Sequence, residues 1–145
     1  MEPLQKLTRR QLETLQAIVG KETAERGVSL KLIASTMHVT APSALGHLTP
    51  LEEQGLVARY RGKSRLTAKG RGTLVEYQRH HRVAETLFGS LGLSPEATCA
   101  AAREVDLSIS HETVERVCAA EGHPTVCPHG EPIVPCSNRG REGGN

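Results

Sequence analysis

The chain has 145 residues, with 18 Lys and Arg against 16 Asp and Glu and a formal net charge of +2. This length suits one domain or two small ones, and no apolar run approaches the roughly 20 residues that a membrane span requires. Aromatic residues make up only 2% of the sequence and tryptophan is absent, which argues against binding single-stranded nucleic acid by base stacking. The N-terminus lacks the apolar stretch of a signal peptide, so we expect a cytoplasmic protein without a membrane partner.

The charge is unevenly divided along the chain. Residues 1–82 carry 14 basic and 7 acidic side chains, whereas residues 83–145 carry 4 basic and 9 acidic ones. This division suggests a basic half that faces nucleic acid, joined to a half with another task. All cysteines lie in the acidic half, where a reducing compartment favours metal or redox chemistry over disulfides; they are Cys99, Cys118, Cys127 and Cys136.

Three helices are predicted at the start of the chain. Thr8 is a candidate N-cap for a helix over residues 8–19, and Ser29 and Thr40 are candidate N-caps for a second and a third helix. Pro50 lies inside the third helix, where it predicts a bend because an internal proline removes a backbone hydrogen bond.

The spacing of apolar residues changes over residues 56–67. Apolar residues alternate with basic or small ones, and Gly62-Lys63 offers a turn, which predicts a small β-hairpin. A helix, a helix–turn–helix and a hairpin in this order predict a winged helix–turn–helix DNA-binding domain over residues 1–70.

Helical patterns dominate the rest of the chain. Apolar residues at a spacing of three and four predict a long helix over residues 68–91, followed by shorter helices over 95–106 and 110–121. We therefore expect a mainly α fold, with a helical second domain over residues 71–136 and a flexible, glycine-rich tail over 137–145.

The third helix and the hairpin carry the candidate DNA contacts. A recognition helix needs a polar, small-residue N-terminus that reaches base edges, and basic residues on a wing suit phosphate or minor-groove contact. The candidates are Thr40, Ala41, Pro42, Ser43, Gly46 and His47 of the helix and Arg59, Arg61, Lys63 and Arg65 of the hairpin, with Lys69 and Arg71 just after it. Ala41 and Ala44 are further candidates for contact with thymine methyl groups. The alternative is that the basic residues are only a solvated face.

Several strings resemble the diphtheria toxin repressor family of metal-dependent transcriptional repressors, over roughly residues 7–135. The N-terminal strings, such as Val39–Ala44 and Leu51–Val57, occur in many winged-helix families. The specific signals are His81-Arg82-Val83-Ala84-Glu85 together with Pro128-His129-Gly130-Glu131-Pro132-Ile133. The resemblance implies a homodimer that binds a palindromic double-stranded operator and holds metals in its C-terminal helices. We expect a short form without the family's SH3-like domain.

The resemblance assigns His81 and Glu85 to one metal site. These residues lie four apart on one helix face, so both can reach one cation. The family takes a further histidine from the next helix, and that position here corresponds to Cys99. A histidine, a carboxylate and a thiolate suit Fe(II), Zn(II) or Co(II) better than Mn(II). The alternative is that His81 and Glu85 form a local pair and that Cys99 is a small buried hydrophobe.

The family's other metal site is where this sequence departs from the pattern. The corresponding run is 103–107, in which Arg103 cannot ligate a metal and Leu107 replaces a histidine. The first-helix ligand position corresponds to Arg10. Asp106 alone remains as a candidate ligand, and Arg10 or Arg103 can pair with it instead of an ion. We expect this site to be lost or rebuilt.

The Cys-rich C-terminal segment offers a substitute. Cys127, His129 and Cys136, with His123 upstream, can close on one ion or join Cys99. Four thiolates can also hold an iron–sulfur cluster, although no Cys-x-x-Cys spacing supports one. The alternative is that the Pro-His-Gly-x-Pro-Ile segment is a turn that packs against the helices.

Cys118 fits the apolar face of its helix, beside Val114 and Val117, and we expect it in the core. No glycine-rich phosphate loop and no nucleophile elbow occurs, so we expect neither an enzyme nor a small organic substrate. The sequence thus predicts a metal-dependent homodimeric repressor with Fe(II) favoured over Mn(II) or Zn(II). The alternatives are a redox sensor with an iron–sulfur cluster and a metal-independent repressor.

Overall fold

A computed structural model describes residues 4–136. In chain order its elements are a 3₁₀ turn at Leu4–Lys6, helix α1 at Arg9–Lys21, strand β1 at Val28–Ser29, helices α2 at Leu30–Met37 and α3 at Ala41–Glu53, strands β2 at Val57–Tyr60 and β3 at Lys63–Leu66, and helices α4 at Ala68–Ser90, α5 at Pro95–Val105 and α6 at His111–Ala120. The predicted mainly α class, with a winged helix–turn–helix before a helical domain, is confirmed. The predicted flexible tail over 137–145 lies outside the described residues.

The chain divides into two compact units. The N-terminal unit comprises Leu7–Leu74. The C-terminal unit comprises the segment that ends at Lys6 together with the chain from Val75 onward. Helix α4 therefore belongs to both units, since the division falls between Leu74 and Val75. No helix among the described residues is long and apolar enough to cross a membrane.

Helices α1–α3 form the core of the N-terminal unit. Their predicted N-caps are confirmed: the side chains of Thr8, Ser29 and Thr40 each accept a hydrogen bond from the backbone N–H three residues further on. His38 ends α2 in the left-handed conformation, at φ 56°, and turns the chain towards α3. The buried apolar residues include Leu12, Leu15, Ile18, Ile33, Leu48 and Leu51.

The wing is a three-stranded antiparallel sheet rather than the two-stranded hairpin that the sequence predicted. Its strand order is β1-β3-β2, and Val28 of β1 pairs with Ser64 of β3. Strand β1 is too short for a periodic pattern to reveal. The available signal was Gly27, where a Cβ atom would lie 2.9 Å from the Cβ of Lys63, so only glycine allows this approach.

Ser94 and Ser110 begin the helices of the C-terminal unit. Each serine hydroxyl accepts a hydrogen bond from the backbone three residues on, at the start of α5 and α6 respectively. The buried core of this unit contains three of the four cysteines and consists of Val83, Val114, Cys118, Cys127, Ile133 and Cys136. Thiols and apolar side chains thus share one environment, which confirms that Cys118 lies in the core.

Candidate metal centre and DNA-facing surface

Glu85 on α4 is a buried carboxylate between two histidines. Its side chain is 3% exposed, with Oε1 lying 2.5 Å from Nε2 of His81 and Oε2 lying 2.7 Å from Nδ1 of His129. The Cys99 sulfur lies 3.8 Å from Nε2 of His81. Two potential ligand groups therefore share this carboxylate: His81, Glu85 and Cys99 on one side, and Glu85, Cys127 and His129 on the other.

Three separate elements supply these donors. Helix α4 presents His81 and Glu85 one turn apart, and α5 supplies Cys99. Cys127 and His129 come from the tight turn after α6, which a hydrogen bond from Gly130 N to Cys127 O closes. Arg82 fixes this turn by donating to Pro132 O at 2.6 Å. The Pro-His-Gly segment is thus a packed turn, and it also brings two donors to Glu85.

Asp106 lies beside His81. This carboxylate is fully buried, and it contacts Nδ1 of His81 at 2.9 Å while accepting a hydrogen bond from the Tyr77 hydroxyl at 2.8 Å. A carboxylate at one ring nitrogen of a histidine fixes the orientation of the ring. Asp106 and Glu85 thus face the two nitrogens of the same imidazole.

The predicted loss of the family's other site concerns Arg10, Arg103 and Leu107, and it stays a prediction. Arg103 is exposed, and Leu107 is half-buried. Arg10 forms an ion pair at 3.1 Å with Glu13, which lies three residues further along α1.

Cys136 lies in a different cluster from the predicted one with Cys127 and His129. Its sulfur is 3.4 Å from Nδ1 of His123, and the sulfur of Cys118 is 3.7 Å from the same nitrogen. These three residues form a potential ligand group of their own. The sequence predicts Cys118 only as a core residue, because its position on α6 gives no sign of the loop that packs against it.

A further cluster that sequence reasoning missed contains Glu76, His80 and His111. The carboxylate of Glu76 lies 3.5 Å from His80, and His111 lies 3.5 Å from Glu115 on α6. The only sequence signal was the pair of adjacent histidines at 80 and 81, whose side chains point to different neighbours.

The predicted recognition helix presents its first turn to solvent. Thr40, Ala41, Pro42, Ser43 and Gly46 are exposed and His47 is half-buried. Ala44 is fully buried in the core, so the suggested contact between its methyl group and thymine is wrong. The Thr40 hydroxyl already accepts a hydrogen bond from Ser43 N at 3.3 Å, which caps α3.

The wing cations differ in how they are held. Arg59 pairs with Glu52 at 3.2 Å, and Arg65, which is half-buried, donates to Ala24 O at 3.0 Å. Arg61 and Lys63 are exposed at the tip of the hairpin. The last two candidates are engaged within the unit, since Lys69 donates to Gln54 O and Arg71 pairs with Glu22.

The N-terminal unit is a winged helix–turn–helix, and the C-terminal unit brings buried histidine, carboxylate and thiol donors together. Residues 67–135 match the family described as the iron dependent repressor, metal binding and dimerisation domain. The resemblance to the diphtheria toxin repressor family is thereby confirmed. Members of this family are transcriptional repressors and not enzymes.

Solved structures support the same family. A hypothetical protein from Sulfolobus solfataricus, SSo2273, is 26% identical, with a TM-score of 0.84 over 88% of this chain and 99% of that one. A manganese-dependent transcriptional repressor in complex with manganese is 31% identical, with a TM-score of 0.67 over 89% of this chain and 59% of that one. The manganese regulator SloR is 27% identical, with a TM-score of 0.65 over 89% of this chain and 64% of that one. The chain thus spans about three fifths of the length of these two manganese regulators. Among curated proteins, none matches the sequence.

Proposed function

We propose that this protein is a metal-dependent transcriptional repressor that binds a palindromic operator as a homodimer, with Fe(II) as the favoured ion. The observation that carries this proposal is the convergence of four donor side chains on the buried Glu85 carboxylate: His81, Cys99, Cys127 and His129. The exposed first turn of α3 and the cationic hairpin tip supply the surface that DNA binding requires.

The donors around Glu85 fit a divalent transition metal. A buried carboxylate is costly unless a positive charge balances it, and here its two oxygens face one imidazole each. Bound metal would supply that charge. His81 is already oriented by Asp106, which is the arrangement that metal-ligating histidines typically show.

The choice of Fe(II) rests on donor softness. Imidazole and thiolate donors suit iron, zinc and cobalt, whereas manganese prefers carboxylate, carbonyl and water oxygens. Two of the donors around Glu85 are thiols, Cys99 and Cys127. One similar structure is a manganese-dependent repressor in complex with manganese, so the Cys99 thiol in place of the family's histidine is what favours a softer ion in this chain.

Dimerisation is supported by an apolar groove in the C-terminal unit. Leu87, Phe88 and Ile109 contribute to its lining, which is almost entirely nonpolar and encloses about 320 Å³. This groove is a candidate surface for contact with a second copy of the chain, since the matching family model describes a dimerisation domain.

The four thiols are distributed over separate groups, which favours ions held singly over one iron–sulfur cluster. Cys99 and Cys127 lie in the two groups that share Glu85, and Cys118 with Cys136 forms part of another. A cluster coordinated by all four sulfurs would need them around one centre.

The test is operator binding by anaerobically purified protein, with and without a chelator, on DNA selected from a random pool. We expect chelation to abolish specific binding and Fe(II) to restore it, with iron detected by elemental analysis. Operator binding that is unchanged by chelation of a metal-free protein would show a metal-independent repressor. A visible absorption accompanied by inorganic sulfide would show the cluster-based alternative.

Substitutions test the site itself. His81→Ala and Glu85→Ala each remove a central donor, and we expect either change to abolish the metal dependence of DNA binding. Leu107→Ala is the control, since this half-buried residue occupies the lost ligand position and contributes only packing. A normal metal response in both the His81 and Glu85 variants would contradict the assignment.

A further inference from the structure

Cys118, His123 and Cys136 form a cluster that is separate from the donors around Glu85. Cys118 lies near the end of α6, His123 lies in the turn that follows, and Cys136 is the last described residue. Both sulfurs face a single atom, Nδ1 of His123, at 3.7 and 3.4 Å. A neutral imidazole nitrogen has one lone pair and accepts one good hydrogen bond, whereas here two sulfurs lie close to the same nitrogen.

The spacing matches that of ligands around one ion. Zinc–sulfur bonds of about 2.3 Å and zinc–nitrogen bonds of about 2.05 Å at a tetrahedral angle place sulfur and nitrogen about 3.6 Å apart. The two observed distances lie on either side of this value. All three ligand atoms lie within 4.8 Å of one another, so little movement is needed to bring them to a common centre.

The two sulfurs lie in an apolar environment. Cys118 and Cys136 are buried among apolar side chains. Arg79 is itself buried and donates from Nε to Val134 O at 3.1 Å. Arg79 also pairs with Glu115 at 2.9 Å, so a buried ion pair holds the segment that carries Cys136.

We propose that Cys118, His123 and Cys136 bind a thiophilic divalent cation of the Zn²⁺ type, in a second site with three protein ligands. The ion would tie residues 123 and 136, which are 13 positions apart, to α6. The closed segment contains Cys127 and His129, so this site would hold in place two of the donors that face Glu85. The proposal concerns metal binding and loop order and does not depend on DNA binding.

Cobalt(II) is the probe, because thiolate ligands give it intense near-ultraviolet charge-transfer bands and tetrahedral geometry gives it strong visible bands. Reduced, chelator-stripped full-length protein is titrated under anaerobic conditions. Two double variants remove the same number of thiols: Cys99→Ser with Cys127→Ser leaves the proposed site intact, whereas Cys118→Ser with Cys136→Ser destroys it.

We expect the Cys99/Cys127 variant to retain a two-thiolate, tetrahedral cobalt spectrum that Zn²⁺ displaces. The Cys118/Cys136 variant should lose that contribution and keep only the cobalt bands that arise from Cys99 and Cys127. The proposal is overturned if the Cys99/Cys127 variant shows no thiolate band, or if mass spectrometry finds Cys118 and Cys136 joined as a disulfide in the reduced preparation.

His123→Asn guards against a folding defect caused by the buried cysteine substitutions. His123 has a positive φ of 54°, which asparagine tolerates better than most residues. We expect this variant to fold and to lose more than about 100-fold in metal affinity at this site, since changes beyond the direct ligands already cost about 10–100-fold. Unchanged affinity in His123→Asn would contradict the proposal.

The proposed anchoring has its own readout. Hydrogen exchange should slow over residues 124–135 when one equivalent of Zn²⁺ is added to the His81→Ala/Glu85→Ala variant, which lacks the other centre. Exchange that is insensitive to zinc in that variant would overturn the anchoring role. Failure of operator binding to respond to metal would be a separate result, because neither the cobalt titration nor the hydrogen-exchange measurement involves DNA.

Discussion

The two units of this molecule place their functional side chains in opposite environments. In the N-terminal unit the candidate DNA contacts are exposed and belong to neighbouring elements, α3 and the β2–β3 hairpin. In the C-terminal unit the candidate ligands converge from α4, α5 and the turn after α6, and Glu85 is buried among them. The first surface depends on how local elements are capped and spaced, whereas the second depends on tertiary packing. Variants that disturb one kind of support and not the other test this difference.

Gly70 should give the largest effect, because it supports the N-terminal unit where α4 begins. Its N–H donates to the Thr67 hydroxyl, and that hydroxyl donates to Gly55 O at 2.6 Å. A Cβ atom at Gly70 would overlap the carbonyl oxygen of Leu56, which is backbone and cannot turn aside. We expect Gly70→Ala to lower the free energy of unfolding by about 3 kcal/mol, at the upper end for overpacking, as measured by urea denaturation.

Gly72 is the matched control for this change. It lies on the same helix turn, and a Cβ atom there meets nothing within 4 Å. Gly72→Ala should therefore stabilise the protein by about 0.5–1 kcal/mol, because alanine is favoured over glycine inside helices. Equal effects of the two substitutions would show that helix propensity, and not the contact with Leu56, decides the outcome.

Local signals explain why the elements of the fold could be predicted from the sequence. The N-caps Thr8, Thr40 and Ser110 mark helix starts by side-chain chemistry that acts over three residues. Strand β1 could not be predicted in this way, since two residues carry no period and Val28 is a strand only because β3 lies beside it.

The candidate metal centre could be predicted only in part. His81 and Glu85 share a helix face, so their proximity follows from helical spacing alone. Whether a buried carboxylate binds a metal or orients a ligand depends on what faces it, so the sequence names Asp106 only as a candidate ligand and gives no sign of its contact with His81. Cys136 was likewise grouped with Cys127 by sequence distance, whereas the loop brings it to Cys118. Long-range packing decided each of these cases.

Asp106 tests whether orientation by packing matters in the C-terminal unit. Asp106→Asn keeps the shape of the side chain but removes the negative charge that faces Nδ1 of His81. Because partners of ligating histidines typically contribute about 10–100-fold to metal affinity, we expect a loss in that range in a metal titration, with unfolding little changed. Tyr77→Phe should cause a smaller loss, since it removes one hydrogen bond to Asp106 and leaves the contact with His81. If Asp106→Asn binds metal as well as the wild type, the orienting role is excluded.

Substitutions at the hairpin tip should give the smallest effect. We expect this effect to depend on salt and not on metal. Arg61 and Lys63 are exposed cations on the wing, so their contribution to DNA binding would be phosphate contact, which is insensitive to sequence and sensitive to salt. We expect Arg61→Ala and Lys63→Ala each to weaken operator and nonspecific DNA binding alike, and to reduce the slope of log affinity against log salt by about 1. Metal affinity should not change in either variant. Arg116→Ala makes the same change of charge on α6, where Arg116 pairs with Glu112, and should leave the salt slope unaltered. A loss confined to the operator would instead mean that the wing reads base sequence, and the N-terminal unit would then depend on specific geometry as closely as the metal centre does.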